Sequence, residues 1–240
     1  MSRRAGVIVC VVFGIAATAV AQEPTFAPGV ARWSVKTSVL PGALEQKPRR
    51  IAFTRLRQLE QPPESMLHDR DTFADRPMRE DNVSHLQEGD IVSTIGYVQL
   101  IAVEATKKSN GDRTDGDYHI QVSAERDNRD RVVIMEIPRP DFVSDTALRQ
   151  KVAALRALLR EKMKNGKEFS MSNGTCIQHP VRMRLTGQLF YDTAHSGSSD
   201  PGGSRGKQGH KAATLWEIHP LFDAQFLDPK DPTRPAVPCK

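Results

Sequence analysis

Apolar and polar residues alternate along three segments in the middle of the chain. The segments run from Ile91 to Val103, from Asp117 to Ala124 and from Val132 to Ile137. Alternation with a period of two places every second side chain on the same face, which is typical of a strand with one buried face. The turn signal Glu88-Gly89-Asp90 precedes the first segment. We therefore predict three consecutive strands.

A helical period replaces the alternation after the third strand. Apolar residues then recur at spacings of three and four, as on one stripe of an amphipathic helix. The stripe consists of Leu148, Val152, Leu155, Leu159 and Met163. Ser144 is placed to cap the start of this helix, and Asn165-Gly166 favours a left-handed C-terminal end. Arg156 belongs to a basic run that we expect on the solvated face.

Two further strands are predicted after the helix. Val181 to Leu189 alternates with a bend at Gly187, and Leu215 to Phe226 is interrupted at Pro220. A long Gly/Ser-rich loop, residues 191–213, lies between them.

The predicted order of elements is β-β-β-α-β-β, which makes the protein mainly β with one helix. This order, with bending glycines inside the strands, is typical of the OB-fold, a five-stranded, partly open Greek-key barrel. The helix would then close one end of the barrel. A small α+β sandwich is the alternative.

The remaining chain divides into three segments around the barrel domain, residues 88–227. Residues 1–21 read as a signal peptide, residues 22–87 as an irregular Pro-rich arm, and residues 228–240 as a Pro-rich tail. Within the arm, the loose alternation of Trp33, Val35 and Val39 predicts one short strand. We expect the arm to be partly ordered by docking on the barrel.

The first segment has the three parts of a secretory signal. Arg3 and Arg4 precede an uncharged apolar run, and Ala19-Val20-Ala21 offers a cleavage site. The run, from Ala5 to Val20, is shorter than the roughly 20 residues of a membrane-spanning helix. Cleavage lowers the formal net charge from +5 to +3, a mild excess that does not by itself imply a nucleic-acid partner. We expect an exported protein, periplasmic or extracellular, without a membrane span.

Two cysteines remain after cleavage, Cys176 and Cys239. An oxidising compartment permits one disulfide between them, and two free thiols are the alternative.

Three sequence blocks carry a resemblance. They are Asp117 to Ile120 (DYHI), Leu185 to Asp192 (LTGQLFYD) and Lys211 to Leu221 (KAATLWEIHPL). Together they resemble an uncharacterised family of exported bacterial proteins with OB-like barrels. The resemblance covers residues 88–227 and implies the fold, but it implies no activity.

Two histidine and carboxylate pairs are candidate metal ligands. Asp117 and His119, and likewise Glu217 and His219, are two residues apart on predicted strands and so share a face. Imidazole with carboxylate suits zinc or another divalent metal. The alternative is a structural role. Trp216 and Ile218 would then face the core, and the Glu217 carboxylate would accept a hydrogen bond from a basic side chain on the third or fourth predicted strand.

The loop and the strand before it carry candidate ligand-binding residues. These are Arg182, Arg184, His195, Arg205, Lys207, His210 and Lys211. Loops of this kind help OB-folds to grip single strands, but stacking also needs aromatic side chains, which make up only 6% of the chain.

No local context supports a serine or cysteine nucleophile. The sequence therefore favours an exported, non-enzymatic binding protein of unknown ligand and without a required cofactor. One alternative is a binder of single-stranded nucleic acid or another polyanion through the 191–213 loop. The other is a metal-dependent hydrolase that uses His119, Glu217 and His219.

Export gives the first testable prediction. The mature protein isolated from the cell envelope or medium should begin at Gln22, which follows the Ala19-Val20-Ala21 site. N-terminal sequencing of that material checks the cleavage site. A cytosolic protein that retains Met1 would contradict it.

Overall fold

We describe the fold from a computed structural model. The structure describes residues 32–60, 86–105, 115–128, 130–171, 173–192, 195, 202 and 205–227. The predicted signal peptide and C-terminal tail lie outside the described residues.

The described elements form a short N-terminal arm followed by a barrel with one long helix. The helices are α1 (Trp33–Lys36), α2 (Phe53–Leu56) and α3 (Thr146–Lys164). The strands are β1 (Arg49–Arg50), β2 (Ile91–Val103), β3 (Tyr118–Ser123), β4 (Val133–Ile137), β5 (Thr175–Tyr191) and β6 (Trp216–Phe226). One-turn 3₁₀ segments span Ala43–Glu45 and Pro140–Phe142.

Five strands close into a mixed barrel. The hydrogen-bonded order is β2-β3-β4-β6-β5, and β2 pairs again with β5 to close the ring. All these pairs are antiparallel except β4 with β6. The prediction of a mainly β, OB-like barrel is therefore confirmed, with α3 between the third and fourth barrel strands.

The strand alternation separates a dry interior from a polar outer face. Tyr118, Ile120 and Val122 of β3 are at most 1% exposed and belong to the central apolar core.

Gly187 lies where the pairing of β5 with β6 is irregular. A Cβ there would come within 2.4 Å of the Pro220 carbonyl oxygen, so the close approach of the two strands requires glycine. Pro220 lies between the paired residues Ile218 and Leu221, within this irregularity, and β6 continues through it.

The long helix packs its apolar stripe into the same core. Its N-cap is Asp145, whose carboxylate accepts a 2.7 Å hydrogen bond from the Leu148 amide, so the expectation of Ser144 was wrong. Asn165 ends the helix with φ 50°, as predicted.

Arg156 of this helix is buried, so the expectation that it lies on the solvated face was wrong. Its guanidinium lies 3.7 Å from the Tyr118 ring centroid and donates to the carbonyls of Gly116 and Ile137. No helix in the described part of the chain is long and apolar enough to cross a bilayer.

The arm docks on the barrel as one-turn helices and a two-residue strand. The short strand expected at Trp33 was wrong, because α1 is helical and buries Trp33 and Val35. Arg32 fixes this turn to the barrel by donating to the Tyr191 carbonyl and by pairing with Glu88 at 2.7 Å. Residues 49–50 pair in parallel with β2. This docking brings Lys36 over the outer face of the barrel.

Cys176 is buried on β5 and takes part in a disulfide bond. Cys239 lies outside the described residues, so the predicted pairing of Cys176 with Cys239 stays a prediction.

The packing of α3 leads to a stability prediction. Leu155→Ala should lower the free energy of unfolding by about 2–5 kcal/mol, because the leucine is buried where the helix meets the barrel. Denaturant titration measures the change, and Lys151→Ala on the exposed side of the same helix is the control. A loss below about 0.5 kcal/mol for Leu155→Ala would be that of an exposed site and would contradict this packing.

Candidate functional site

The outer face of β3, β4 and β6 carries charged side chains that are buried. Trp216 and Ile218 belong to the apolar core, as predicted, so Glu217 and His219 point outward. Both outward residues are nevertheless 0% exposed: the loop residue Arg205 lies against Glu217, and the Phe190 ring of β5 lies 5.6 Å from the His219 ring. We call this group the charged cluster. It consists of Asp117, Glu136, Asp192, Arg205, Glu217 and His219.

The His219 side chain on β6 connects β6 to β4 through its contact with the Glu136 carboxylate. Its Nε2 lies 3.1 Å from Asp117 Oδ2, and its Nδ1 lies 3.2 Å from Glu136 Oε2 and 3.6 Å from Glu217 Oε2. None of these contacts is aligned as a hydrogen bond, so the attraction is mainly electrostatic. Burial opposes the charged imidazolium, but the three carboxylates outweigh it and raise the pKa of His219 well above its usual value.

Arg205 supplies the permanent positive charge of the cluster. It pairs with Glu217 through Nη1, with Asp192 through Nε at 3.2 Å and with Glu136 through Nη2 at 3.3 Å. Burial works against the guanidinium, but these carboxylates raise its pKa further. Our prediction that Glu217 pairs with a basic group on the third or fourth strand was therefore wrong, because the partner comes from the loop.

The loop reaches this position because β3 holds it. The amide of Gln121 accepts from the Lys207 backbone N–H at 2.5 Å, and its Nε2 contacts His210 at 2.8 Å. Gly206 has φ 120°, and a Cβ there would lie 2.2 Å from the His210 carbonyl oxygen. The tight turn therefore requires glycine and directs Arg205 inward.

The buried carboxylates fall into two groups, those whose pKa is raised and one whose pKa is lowered. Burial raises the pKa of Asp117 to about 7, with Asp115 adding repulsion. Burial likewise raises the pKa of Glu217. For Glu136 the burial effect is outweighed by its contacts with His119 and His219 and by the positive charges of His219 and Arg205, which hold its pKa well below the usual range. Glu136 is therefore the firmly ionised centre of the cluster.

A polar pocket opens beside the charged cluster. It has a volume of about 180 Å³ and is lined by Lys36, Glu104, Asp115, His119, Glu136, Asp192, His195, Arg205, Gly206 and Lys207. Its floor is the outer face of β3 and β4. Its walls are the ends of the β2–β3 and β5–β6 loops together with α1.

Both signs of charge meet in this polar pocket. Lys36 lies 3.7 Å from Asp115, and Lys207 lies 3.5 Å from Glu104. Burial disfavours the Lys36 ammonium, but Glu136 and its acidic neighbours raise its pKa. Burial raises the pKa of Glu104, which lies beside Glu136 and Asp115.

Protonated His195 is stabilised at the rim of the polar pocket. Its contact with the Asp192 carboxylate raises the pKa of His195 above its usual value, against the opposing effect of burial.

The structure brings the four predicted metal ligands around one acid, Glu136. His119 Nδ1 lies 3.0 Å from Glu136 Oε1, and His219 contacts the other oxygen. Two sets of ligating atoms lie within 4.8 Å of one another: Glu104 with His119 and Glu136, and Asp117 with Glu136 and His219. The second set is the buried ion bridge already described.

The structure does not bring the predicted ligand-binding residues together. His195, Arg205 and Lys207 line the polar pocket, and Arg205 also belongs to the charged cluster, whereas His210 is buried against Gln121. Lys211 is exposed next to this loop. Arg182 and Arg184 line a different, open groove with Arg50 and Phe53, away from the loop.

Sequence reasoning missed several residues of the site. Glu136 is the only charged residue among the apolar side chains of β4, and that isolation was a usable signal. Lys36, Glu104 and Asp115 stand in no recognisable pattern, because only the folded chain brings them to β3 and β4.

One motif was also overlooked. Gly202-Gly203-Ser204-Arg205-Gly206 has the GxSxG spacing of a nucleophile elbow, which needs a strand before the serine and a helix after it. Here the flanking described elements are β5 and β6, and Arg205 is engaged in the charged cluster. The spacing alone therefore does not indicate a catalytic serine.

The Arg205–Glu217 pair gives a prediction for the charged cluster. Arg205→Met alone should cost about 3–5 kcal/mol of unfolding free energy, because it leaves buried carboxylates without their cation. Glu217→Gln alone should cost about 1–3 kcal/mol. The double variant should lose less than the sum of the two, as urea denaturation of all four proteins would measure. Strictly additive losses would contradict a direct interaction.

The charged cluster and the polar pocket are thus one continuous site on the outer face of the barrel, with Glu136, Asp192 and Arg205 common to both. Comparisons of the chain with protein-family models, with curated proteins and with solved structures found no match.

Proposed function

We propose that this chain is an exported, non-enzymatic binding protein that takes a small polar ligand in the polar pocket. The position of the pocket is the main support. OB-folds bind their ligands on the face of the second and third barrel strands, between the loops that follow the first and fourth strands. In this barrel those elements are β3, β4 and the β2–β3 and β5–β6 loops, which line the polar pocket. The argument from position is one of fold analogy.

The lining favours a small ligand that carries both acceptor and donor groups. Lys36, Arg205 and Lys207 supply positive charge, and four carboxylates supply negative charge: Glu104, Asp115, Glu136 and Asp192. A ligand with groups of one sign only would leave the opposite set desolvated without a partner, which is costly. No Phe, Tyr or Trp is among the described lining residues, so these residues favour a small polar ligand over a stacked base.

The ion pairs of the charged cluster favour binding over catalysis. A general base must present a free lone pair to its substrate. Of the three residues on which the predicted hydrolase would depend, His219 and Glu217 instead face one another and other charged groups of the protein, and His119 contacts Glu136. These pairs favour a structural role for them beneath the polar pocket.

Export agrees with the cysteine chemistry. Disulfides persist in oxidising compartments, and Cys176 is disulfide-bonded. The disulfide supports the proposal that the binding activity lies outside the cytoplasm.

The test is a ligand screen on the full chain. Thermal denaturation with amino acids, dicarboxylates and monosaccharides should identify compounds that raise the melting temperature, and calorimetry then gives Kd. Lys207→Ala should weaken binding of a responding compound about tenfold, a loss of about 1.4 kcal/mol.

Lys211→Ala is the matched control, since Lys211 is exposed and does not line the polar pocket. Its Kd should equal that of the unsubstituted chain. The proposal fails if no compound in these classes binds, or if both lysine variants bind a responding compound equally well.

A further inference from the structure

We propose that a second site on this barrel binds a phosphate monoester that carries an apolar group. The site is the open groove between the arm and the outer face of β2 and β5, and we call it the arginine groove. It has a volume of about 430 Å³, and its lining includes Arg50, Ile95, Tyr97, Arg182 and Arg184. Sites for small molecules typically have about 300–1,000 Å³, so the groove is large enough. It shares no described lining residue with the polar pocket and does not depend on the proposed function.

The pairing of the strands places these side chains on one face of the sheet. Ile95 of β2 pairs with Arg184 of β5, and directly paired residues of antiparallel strands share a face. Two residues further along, Tyr97 pairs with Arg182 in the same way. Arg50 of β1 pairs with the residue that lies two positions before Ile95. The third guanidinium therefore belongs to the same face, on the other side of β2 from β5.

The three guanidiniums have no carboxylate partner in the described part of the chain. No Asp or Glu is among the described residues that line the arginine groove. Arg184 donates at 2.7 Å to the neutral side chain of Gln225, and neither Arg50 nor Arg182 makes an ion pair with a described residue. Like charges held close together repel, and a multivalent anion between them removes that repulsion. The polar pocket differs, because its cations face carboxylates.

An apolar surface lies beside these charges. Ile95 is 36% exposed, which is unusual for a large hydrophobic side chain of this barrel. Tyr97 is half-buried, and its ring centroid lies 5.6 Å from the Arg126 guanidinium. Exposed apolar surface within a groove is typical of a ligand site. The ligand is therefore expected to carry an apolar group next to its anionic group.

The chemistry of arginine favours a phosphate as the anionic group. A guanidinium presents paired N–H donors that match two oxygens of a phosphate or a carboxylate. A phosphate monoester carries a charge of about −1.5 to −2 at pH 7 and has three strong acceptor oxygens, so it can meet more than one guanidinium. A single carboxylate has one charge and two oxygens and would leave most of the positive charge unmatched.

Calorimetric titration of the full chain with phenyl phosphate tests the proposal. At low ionic strength the chain should bind one phenyl phosphate, and the Kd should rise as sodium chloride is added, because salt screens exposed charges. Inorganic phosphate, which lacks the ring, should bind more weakly. Benzoate, which has the ring but only one carboxylate, should also bind more weakly.

Four variants at exposed side chains locate the site. Arg50→Gln and Arg182→Gln should each raise the Kd for phenyl phosphate about tenfold, as the loss of a charge-assisted hydrogen bond does. Ile95→Ser should raise it about threefold and leave the Kd for inorganic phosphate unchanged, because it removes only apolar contact. Lys151→Gln on α3, outside the groove, is the matched control and should change neither Kd. Circular dichroism checks folding, and the titrations of the unsubstituted chain decide the matter if a variant does not fold.

The proposal is overturned if the unsubstituted chain does not bind phenyl phosphate, if both arginine variants bind it equally well, or if benzoate binds as tightly. Binding of a single-stranded oligonucleotide or of phosphatidylglycerol vesicles, without a response to phenyl phosphate, would also overturn it. The groove would then belong to a surface for polyanions. Binding that Lys207→Ala abolishes and Arg182→Gln retains would assign the phosphate to the polar pocket. That result rejects the arginine groove and leaves the proposed function standing.

Discussion

The ion pairs between the Arg205 guanidinium and the buried carboxylates are the interaction on which the outer face of this barrel depends. Charges buried without partners cost several kcal/mol each, and Glu217 has no exposed surface at all. Arg205 lies against three carboxylates at once, so it permits β6 to carry an acid beneath a covered surface. The loop and the site are therefore a single structural unit.

The same constraint explains the protonation pattern of the charged cluster. Carboxylates outnumber permanent cations there, and burial reduces the screening of their mutual repulsion by solvent. The balance is restored by protons: His219 is held as an imidazolium, and the pKa of Asp117 rises to about 7. Glu136 remains ionised because Arg205 contacts one of its carboxylate oxygens and the His219 imidazolium contacts the other.

Local patterns predicted the barrel well because burial on one face of a strand leaves a period that a short segment displays. The alternation of β3 and the stripe of α3 follow from their own residues, and so does the outward position of Glu217. The partner of Glu217 could not be predicted in this way. It depends on how a long loop returns to the barrel, which Gln121 and Gly206 decide through contacts distant in sequence.

Glu136 connects the buried charged cluster, whose side chains pair with one another, to the polar pocket. One of its carboxylate oxygens contacts His219, inside the charged cluster, and the other contacts His119, on the pocket side. Whatever binds beside His119 must therefore act on the carboxylate that also holds β4 to β6 through His219. Since the core packing of Trp216 and Ile218 fixes where β6 lies, the cluster cannot shift freely to accommodate a ligand. The polar pocket is thus preorganised on its inner side, while its outer side, with Lys207 and His195, retains partly exposed side chains that can adjust.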